Sequence, residues 1–156
     1  MSDPNAPRTA NTLLEVFQSH AATARPLIAY HEILLRGPSA LGIDDRQLIA
    51  AFVSALNASN YFHGVVAETA EAFDVPANRL AALLFNVDAA PIAPRLKPIF
   101  RFVRKLTLTP SRVVAADRAA IIRAGWPEDA IHDAASICGL FNLMSRIVDG
   151  LGVAAS

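Results

Sequence analysis

The chain has 156 residues, 53% of them apolar, with 14 basic side chains against 14 acidic ones for a formal net charge of zero. That is one domain's length and enough chain to bury a core without disulfides or metal. A single cysteine, Cys138, excludes an intrachain disulfide, a multi-cysteine zinc site and a two-cysteine redox centre within one chain, and a charge content of only 18%, evenly balanced, argues against disorder and against a nucleic-acid partner held by counterion release.

Helical spacing and helix punctuation recur along the chain, whereas alternating β-branched residues between Asn-Gly or Asp-Gly turns are absent, so an all-α fold is expected. The start, Met1 to Arg8, is polar and proline-bearing, without the order of a signal peptide. Residues 1–10 are therefore expected to form a flexible tail and 11–156 a single helical domain. Leu13, Leu14 and Phe17 predict a first helix from about Asn11 to Ser19. A second is expected from Pro26, suited to a first turn, to about Leu35, stopped by Gly37-Pro38-Ser39. Asp44 reads as the N-cap of a third helix running to about Asn57, with Leu48, Ile49, Phe52, Val53 and Leu56 on its buried stripe.

A fourth helix should begin near Ser59 and carry Val65, Val66, Thr69, Ala70 and Phe73. Pro76 opens a fifth through Leu80, Leu83 and Leu84. The three prolines between Asn86 and Pro98 mark a loop into a helix around 97–106, and Thr109-Pro110-Ser111 marks a turn. Asp117 to Ala124 is a short helix ended by Gly125. Pro127 starts a long last helix, with Glu128 and Asp129 in its first turn and Gly150 as its expected stop. The nearly pure apolar stretch Leu48 to Leu56 is less than half the ~20 residues of a membrane span. A soluble cytoplasmic protein is expected, and its apolar surplus predicts a homo-oligomer.

The segment Asp45-Arg-Gln-Leu-Ile-Ala-Ala-Phe-Val-Ser-Ala-Leu-Asn-Ala-Ser-Asn-Tyr-Phe-His-Gly-Val-Val-Ala-Glu-Thr-Ala70 resembles the signature of the alkylhydroperoxidase D (AhpD)-like group in the carboxymuconolactone decarboxylase superfamily. More narrowly it is similar to the uncharacterised peroxidase-related subgroup. Lys105 to Arg112, Ala124-Gly-Trp-Pro-Glu128, and Phe141-Asn-Leu-Met-Ser-Arg146 to Gly152 resemble that subgroup too. The resemblance implies an AhpD-like helical bundle, an antioxidant oxidoreductase ancestry, and assembly as dimer to hexamer with sites near subunit contacts.

In active relatives the motif supplies a glutamate, a Cys-x-x-Cys pair and a histidine. One thiolate attacks the peroxide, the second resolves the sulfenic acid, and the glutamate and histidine relay protons. Carried over by position, the glutamate is Gln47, the cysteines are Ser59 and Phe62, and the histidine is Val66. Around them Arg46, Asn57, Tyr61, His63 and Gly64 keep the pattern. A serine hydroxyl lacks the acidity and polarizability for this attack, Phe62 cannot resolve a sulfenic acid, and Gln47 and Val66 exchange no proton near neutral pH. Loss of the thiol peroxidase activity is expected, with Phe62 and Val66, i and i+4 neighbours, packing the former site shut.

The resemblance and composition imply no cofactor, no metal, no membrane and no nucleic acid. What remains is an oligomeric module that is structural or binds a small apolar ligand. The alternative is an oxidoreductase or decarboxylase-type enzyme using non-thiol chemistry around Ser59 and His63, with Tyr61 and Glu68 nearby in sequence. No orienting acid or oxyanion hole is identifiable for that pair, and a ring lining a subunit contact is the plainer role for His63. Cys138, mid-helix among apolar neighbours, reads as a core thiol. His31 with Glu32, and His132 with Asp129 or Asp133, read as solvated helix faces. The run Arg95, Lys97, Arg101, Arg104, Lys105, Arg112 reads as a solvated face or an intersubunit salt-bridge strip, and Trp126 as the packing anchor of the last helix.

Overall fold

A computed structural model describes residues 13–58 and 64–153. Among the described residues the chain is all-helical, in the order α1 (Leu13–Ser19), α2 (Ala21–Arg36), α3 (Ile43–Ala58), α4 (Gly64–Ala72), α5 (Ala77–Phe85), α6 (Lys97–Leu108), α7 (Ala115–Arg123) and α8 (Glu128–Leu151). Two single-turn 3-10 helices, Pro94–Leu96 and Pro110–Arg112, precede α6 and follow it. None of these helices is long and apolar enough to cross a membrane.

Helix α3 is the centre. Leu48, Ile49, Ala50, Ala51, Phe52, Val53, Ala55 and Leu56 are all buried, more of the helix girth than a single apolar stripe supplies. Neighbours therefore cover it on several sides: α8 above all, then α6, α4, α5 and α2. Three alanines in this run let the surrounding helices come close. Phe52 meets the Phe100 ring of α6 edge to face, with centroids 5.3 Å apart, the arrangement that aromatic quadrupoles favour. Helix α6 is amphipathic in the ordinary way, burying Ile99, Phe100, Phe102, Val103 and Thr107.

Turn chemistry explains most of the boundaries. Pro76 and Pro127 sit at the N-cap positions of α5 and α8. Gly125, at φ 91°, takes the left-handed turn that ends α7. At the end of α4 the same role falls to Asp74, at φ 52°, and the N–H of Val75 reaches back to the carbonyl of Ala70 at 2.9 Å. Aspartate tolerates this conformation better than most side chains do.

Helix α7 begins at Ala115, two residues before Asp117, whose carboxylate accepts from Val114 N–H at 2.8 Å. Three other expected boundaries differ. Helix α2 begins at Ala21, so Pro26 lies inside it and opens nothing. The missing N–H costs the bond to the carbonyl of Ala22, and both residues are exposed, so water can serve that oxygen. Asp44 is not a cap: α3 starts one residue earlier, with Arg46 N–H on Gly42 O at 3.0 Å, and Asp44 and Asp45 both lie in its positively polarised first turn. Gly150 does not end α8, which runs to Leu151. Gly152, at φ 63°, makes the stop, with Val153 N–H on Val148 O at 3.0 Å and the Val153 side chain buried.

Because Phe52 is fully buried against Phe100, Phe52→Ala should lower the unfolding free energy by about 3–5 kcal/mol. Urea denaturation followed by circular dichroism measures this, and a loss below about 1 kcal/mol would contradict a tightly packed centre.

Candidate functional site

Of the residues singled out by the sequence, Ser59, Tyr61, Phe62 and His63 lie outside the described residues. Gln47 and Val66 are described. Gln47 is half-buried on α3 and lines an open cleft of about 540 Å³ with Arg36, Asp44, Phe73, Val75 and Arg79. Val66, early in α4, is half-buried against the core and is not among that cleft's lining residues.

Arg46, adjacent to Gln47, is 3% exposed. Its Nη1 donates to the carbonyls of Leu34 and Gly37, each at 2.8 Å. Those oxygens belong to the C-terminal end of α2, where the helix dipole concentrates negative partial charge. Arg46 therefore fastens α2 to α3. Its Nε is buried without a hydrogen-bond partner.

At the other end of α3 the structure brings together side chains that sequence reasoning did not connect. Asn57 Nδ2 donates to Val53 O at 3.1 Å and to Asn142 Oδ1 at 3.2 Å. Arg146 Nη1 donates to Asn57 Oδ1 at 3.3 Å and Asn142 Oδ1 at 3.0 Å. Deeper in, Asn142 Nδ2 donates to Cys138 O at 2.9 Å and lies 3.4 Å from the Cys138 sulfur, which shares a hydrogen bond with Thr107 Oγ1 at 3.2 Å. A polar seam thus runs from the core to the surface between α3, α6 and α8. Its signal was in the sequence: Cys138, Asn142 and Arg146 follow one another at i, i+4 and i+8 on one face of α8.

Cys138 is 1% exposed. Burial pushes its thiol pKa up, against weaker opposing pulls from Thr107 and Asn142. It is the inert core thiol that its neighbours predicted, since nucleophilic attack requires the thiolate.

Beside the seam lie two small, open apolar grooves that share Met144. One, about 230 Å³, is lined by Phe17, Leu27, Ile28, His31 and Met144. The other, about 260 Å³, is lined mainly by Leu13, Phe73, Phe141, Met144 and Val148, with Asn57 at its edge. Phe141 stands between them, its ring centroid 5.6 Å from that of His31 and 5.3 Å from that of Phe73. This corrects the expectation for His31: Glu32 is exposed, but the His31 ring is half-buried as a groove wall. The helix turns these adjacent residues about 100° apart, so they share no face. Burial lowers the pKa of His31, outweighing the opposite pull of Glu32.

The cationic run also resolves into particular contacts. The Arg95 guanidinium lies 3.6 Å from the Trp126 ring centroid, while Trp126 Nε1 donates to Arg95 O at 2.7 Å. Lys97 and Arg101 bond to Asp88. Arg104 Nη1 donates to Leu84 O at 3.0 Å, and Lys105 pairs with Asp117 at 2.8 Å. Five of the six cations thus hold the chain to itself, and Trp126 is the expected anchor, 6% exposed. His132, by contrast, is exposed beside Asp133, as expected. Among the described residues no group of three potential ligands is placed to hold a metal ion.

The depressed His31 pKa has a defined sign. The folded state favours the neutral ring, so the unfolded chain binds the extra proton, and stability falls as pH drops through the ordinary histidine value near 6.5 towards the lower folded one. His31→Phe keeps a ring in the groove wall and removes the titration. Its stability should fall less than that of the wild type between pH 7.5 and 5.5, and parallel slopes would contradict the buried neutral ring.

No protein-family model matches the chain, and no curated protein matches it significantly. Solved structures do. The chain superposes on an uncharacterized peroxidase-related protein from Silicibacter sp. TM1040 with a TM-score of 0.76 at 23% identity, over 91% of this chain and 74% of that one. It superposes equally well, at 0.76 and 22% identity, on an alkylhydroperoxidase AhpD core, an uncharacterized peroxidase-related protein from Ralstonia eutropha JMP134, over 92% of this chain and 76% of that one. The chain has the all-helical fold of these AhpD-like, peroxidase-related proteins.

Proposed function

We propose that the chain is an AhpD-like, peroxidase-related protein that has lost thiol peroxidase chemistry. It acts in the cytoplasm as a homo-oligomeric module that is structural or binds a small apolar ligand. One observation carries this reading: on an AhpD-like fold the only thiol is Cys138, buried in the core with its pKa pushed up. Two-thiol peroxide reduction needs one exposed thiolate to take an oxygen from the peroxide and a second thiol to displace it as water, leaving a disulfide. A single chain with one buried cysteine supplies neither the exposed thiolate nor the second thiol.

The substitutions at the family positions support the same reading. Gln47, Ser59, Phe62 and Val66 replace the acid, both cysteines and the histidine, and losing all four removes nucleophile, resolver and proton relay as a unit. The ligand-binding part of the proposal is supported by the two open apolar grooves that share Met144. Each is below the ~300 Å³ at the lower end for drug-sized ligands, so a small occupant fits.

The test compares the wild type with a variant carrying Gln47→Glu, Ser59→Cys, Phe62→Cys and Val66→His together, in a coupled assay with an organic hydroperoxide and a dithiol reductant. The wild type should show no turnover above the uncatalysed rate, and the variant should gain reductant-dependent turnover. Wild-type turnover within tenfold of a cysteine-bearing relative would overturn the proposal.

A further inference from the structure

Helix α2 has two apolar faces. One is used inside the molecule: Ala24, Leu34 and Leu35 are buried, and Leu27 and His31 are half-buried. On the opposite side Ala22, Pro26, Ala29, Tyr30 and Ile33 follow one another at i, i+4, i+7, i+8 and i+11, and all five are exposed, Tyr30 by 44% and Ile33 by 64%. A helix on the surface of a monomer puts polar side chains there. Charge lies along one flank of this stripe, where Arg25 and Glu32, seven residues apart, and Arg36 beside Glu32 are all exposed.

Resting on the homo-oligomeric reading above, we propose that this face of α2 is the contact between two copies of the chain. The helices pack antiparallel across a two-fold axis that passes near Ala29. The occupant is argued from the pattern of charge. In an antiparallel pair related by a two-fold, the same flank of each helix meets itself in reverse. That register sets Arg25 of each copy beside the partner subunit's Glu32, so opposite charges meet twice. A parallel pairing would set this charged flank of each helix against the partner subunit's uncharged flank and form no such pair. The Glu32 carboxylate already stays on this flank through its 3.5 Å contact with Arg36. Ala22 and Ala29 allow close approach of the helix axes, while Tyr30 and Ile33 supply the apolar area. The exposed ion pairs add little affinity and fix the register.

The test is sedimentation velocity at tens of micromolar on the wild type, Tyr30→Glu/Ile33→Glu, Arg25→Glu, and Arg25→Glu/Glu32→Arg, with helicity checked by circular dichroism. The stripe variant and Arg25→Glu should dissociate at least tenfold more readily than the wild type, and the charge-reversed double variant should recover. A wild type that is monomeric overturns both this contact and the oligomeric reading. An oligomeric wild type whose folded stripe variant keeps the same mass overturns the α2 contact alone, and failure of the double variant to recover overturns its antiparallel register. Ala29→Cys gives a readout that does not depend on the stripe variants folding. Mild oxidation should cross-link it to a covalent dimer while the wild type, with only buried Cys138, stays uncross-linked; absence of that cross-link overturns the placement of the axis.

Discussion

Burial of α3 on nearly every side is the constraint on which the other helices depend. A helix whose run from Leu48 to Leu56 is buried except at Ser54 has no face to give to water. Helices α2, α4, α5, α6 and α8 are therefore arranged around it. The two ends of α3 inherit fixed positions. At its start Arg46 fastens the C-terminus of α2, and at its end Asn57 joins Asn142 and Arg146 of α8. Gln47, the glutamate position that the sequence resemblance assigns, is on this helix, half-buried beside a fully packed run, so under the proposed reading the scaffold persists without a reactive group there. A packed core constrains volume and shape, and neither Gln47 nor Val66 alters the burial of α3 itself.

Among the described residues the buried polar side chains are few, and Arg46 and Thr107 each have a hydrogen-bond partner although Arg46 Nε has none. The seam from Thr107 and Cys138 to Asn142, Asn57 and Arg146 uses its donors and acceptors internally. Satisfied networks of this kind hold packed elements in one arrangement. The network fixes the conformation of the single thiol, while burial, outweighing the opposing pulls of Thr107 and Asn142, disfavours its thiolate. The same economy appears at the surface, where Arg101 on Asp88 and Lys105 on Asp117 tie a loop and a short helix to α6, and Arg95 on Trp126 ties the turn before α6 to the start of α8.

Much of this architecture was legible in the sequence, for reasons that differ by element. The apolar run of α3, the amphipathic spacing of α6, and the punctuation by Pro76, Gly125 and Pro127 each act locally, so composition and spacing revealed them. Pro26 and Gly150 misled because an exposed helix tolerates both residues when solvent or a later stop replaces the lost interaction. Asp44 had the chemistry of a cap, but the chain entered the helix one residue earlier. His31 looked like surface because its neighbour Glu32 is charged. Only the tertiary position of Phe141 shows that its ring is a wall. The α8 part of the seam, Cys138, Asn142 and Arg146, was legible as an i, i+4, i+8 series, but its joining to Asn57 of α3 and Thr107 of α6 has no signal until those helices meet. Of the candidate site, Gln47 is on a cleft and Val66 against the core, while the motif's central residues, 59–63, fall outside the described segments.

The central claim is that an AhpD-like scaffold persists here without a reactive thiol. It is tested most directly by exposing the native protein to a hydroperoxide in the presence of a sulfenic-acid trap and measuring its intact mass, with Cys138 as the only sulfur that can form a sulfenic acid. The account predicts an unmodified chain in the folded state and trapping only after denaturation. Stoichiometric trapping at Cys138 in the folded protein, at a rate comparable to a peroxidatic cysteine, would contradict it.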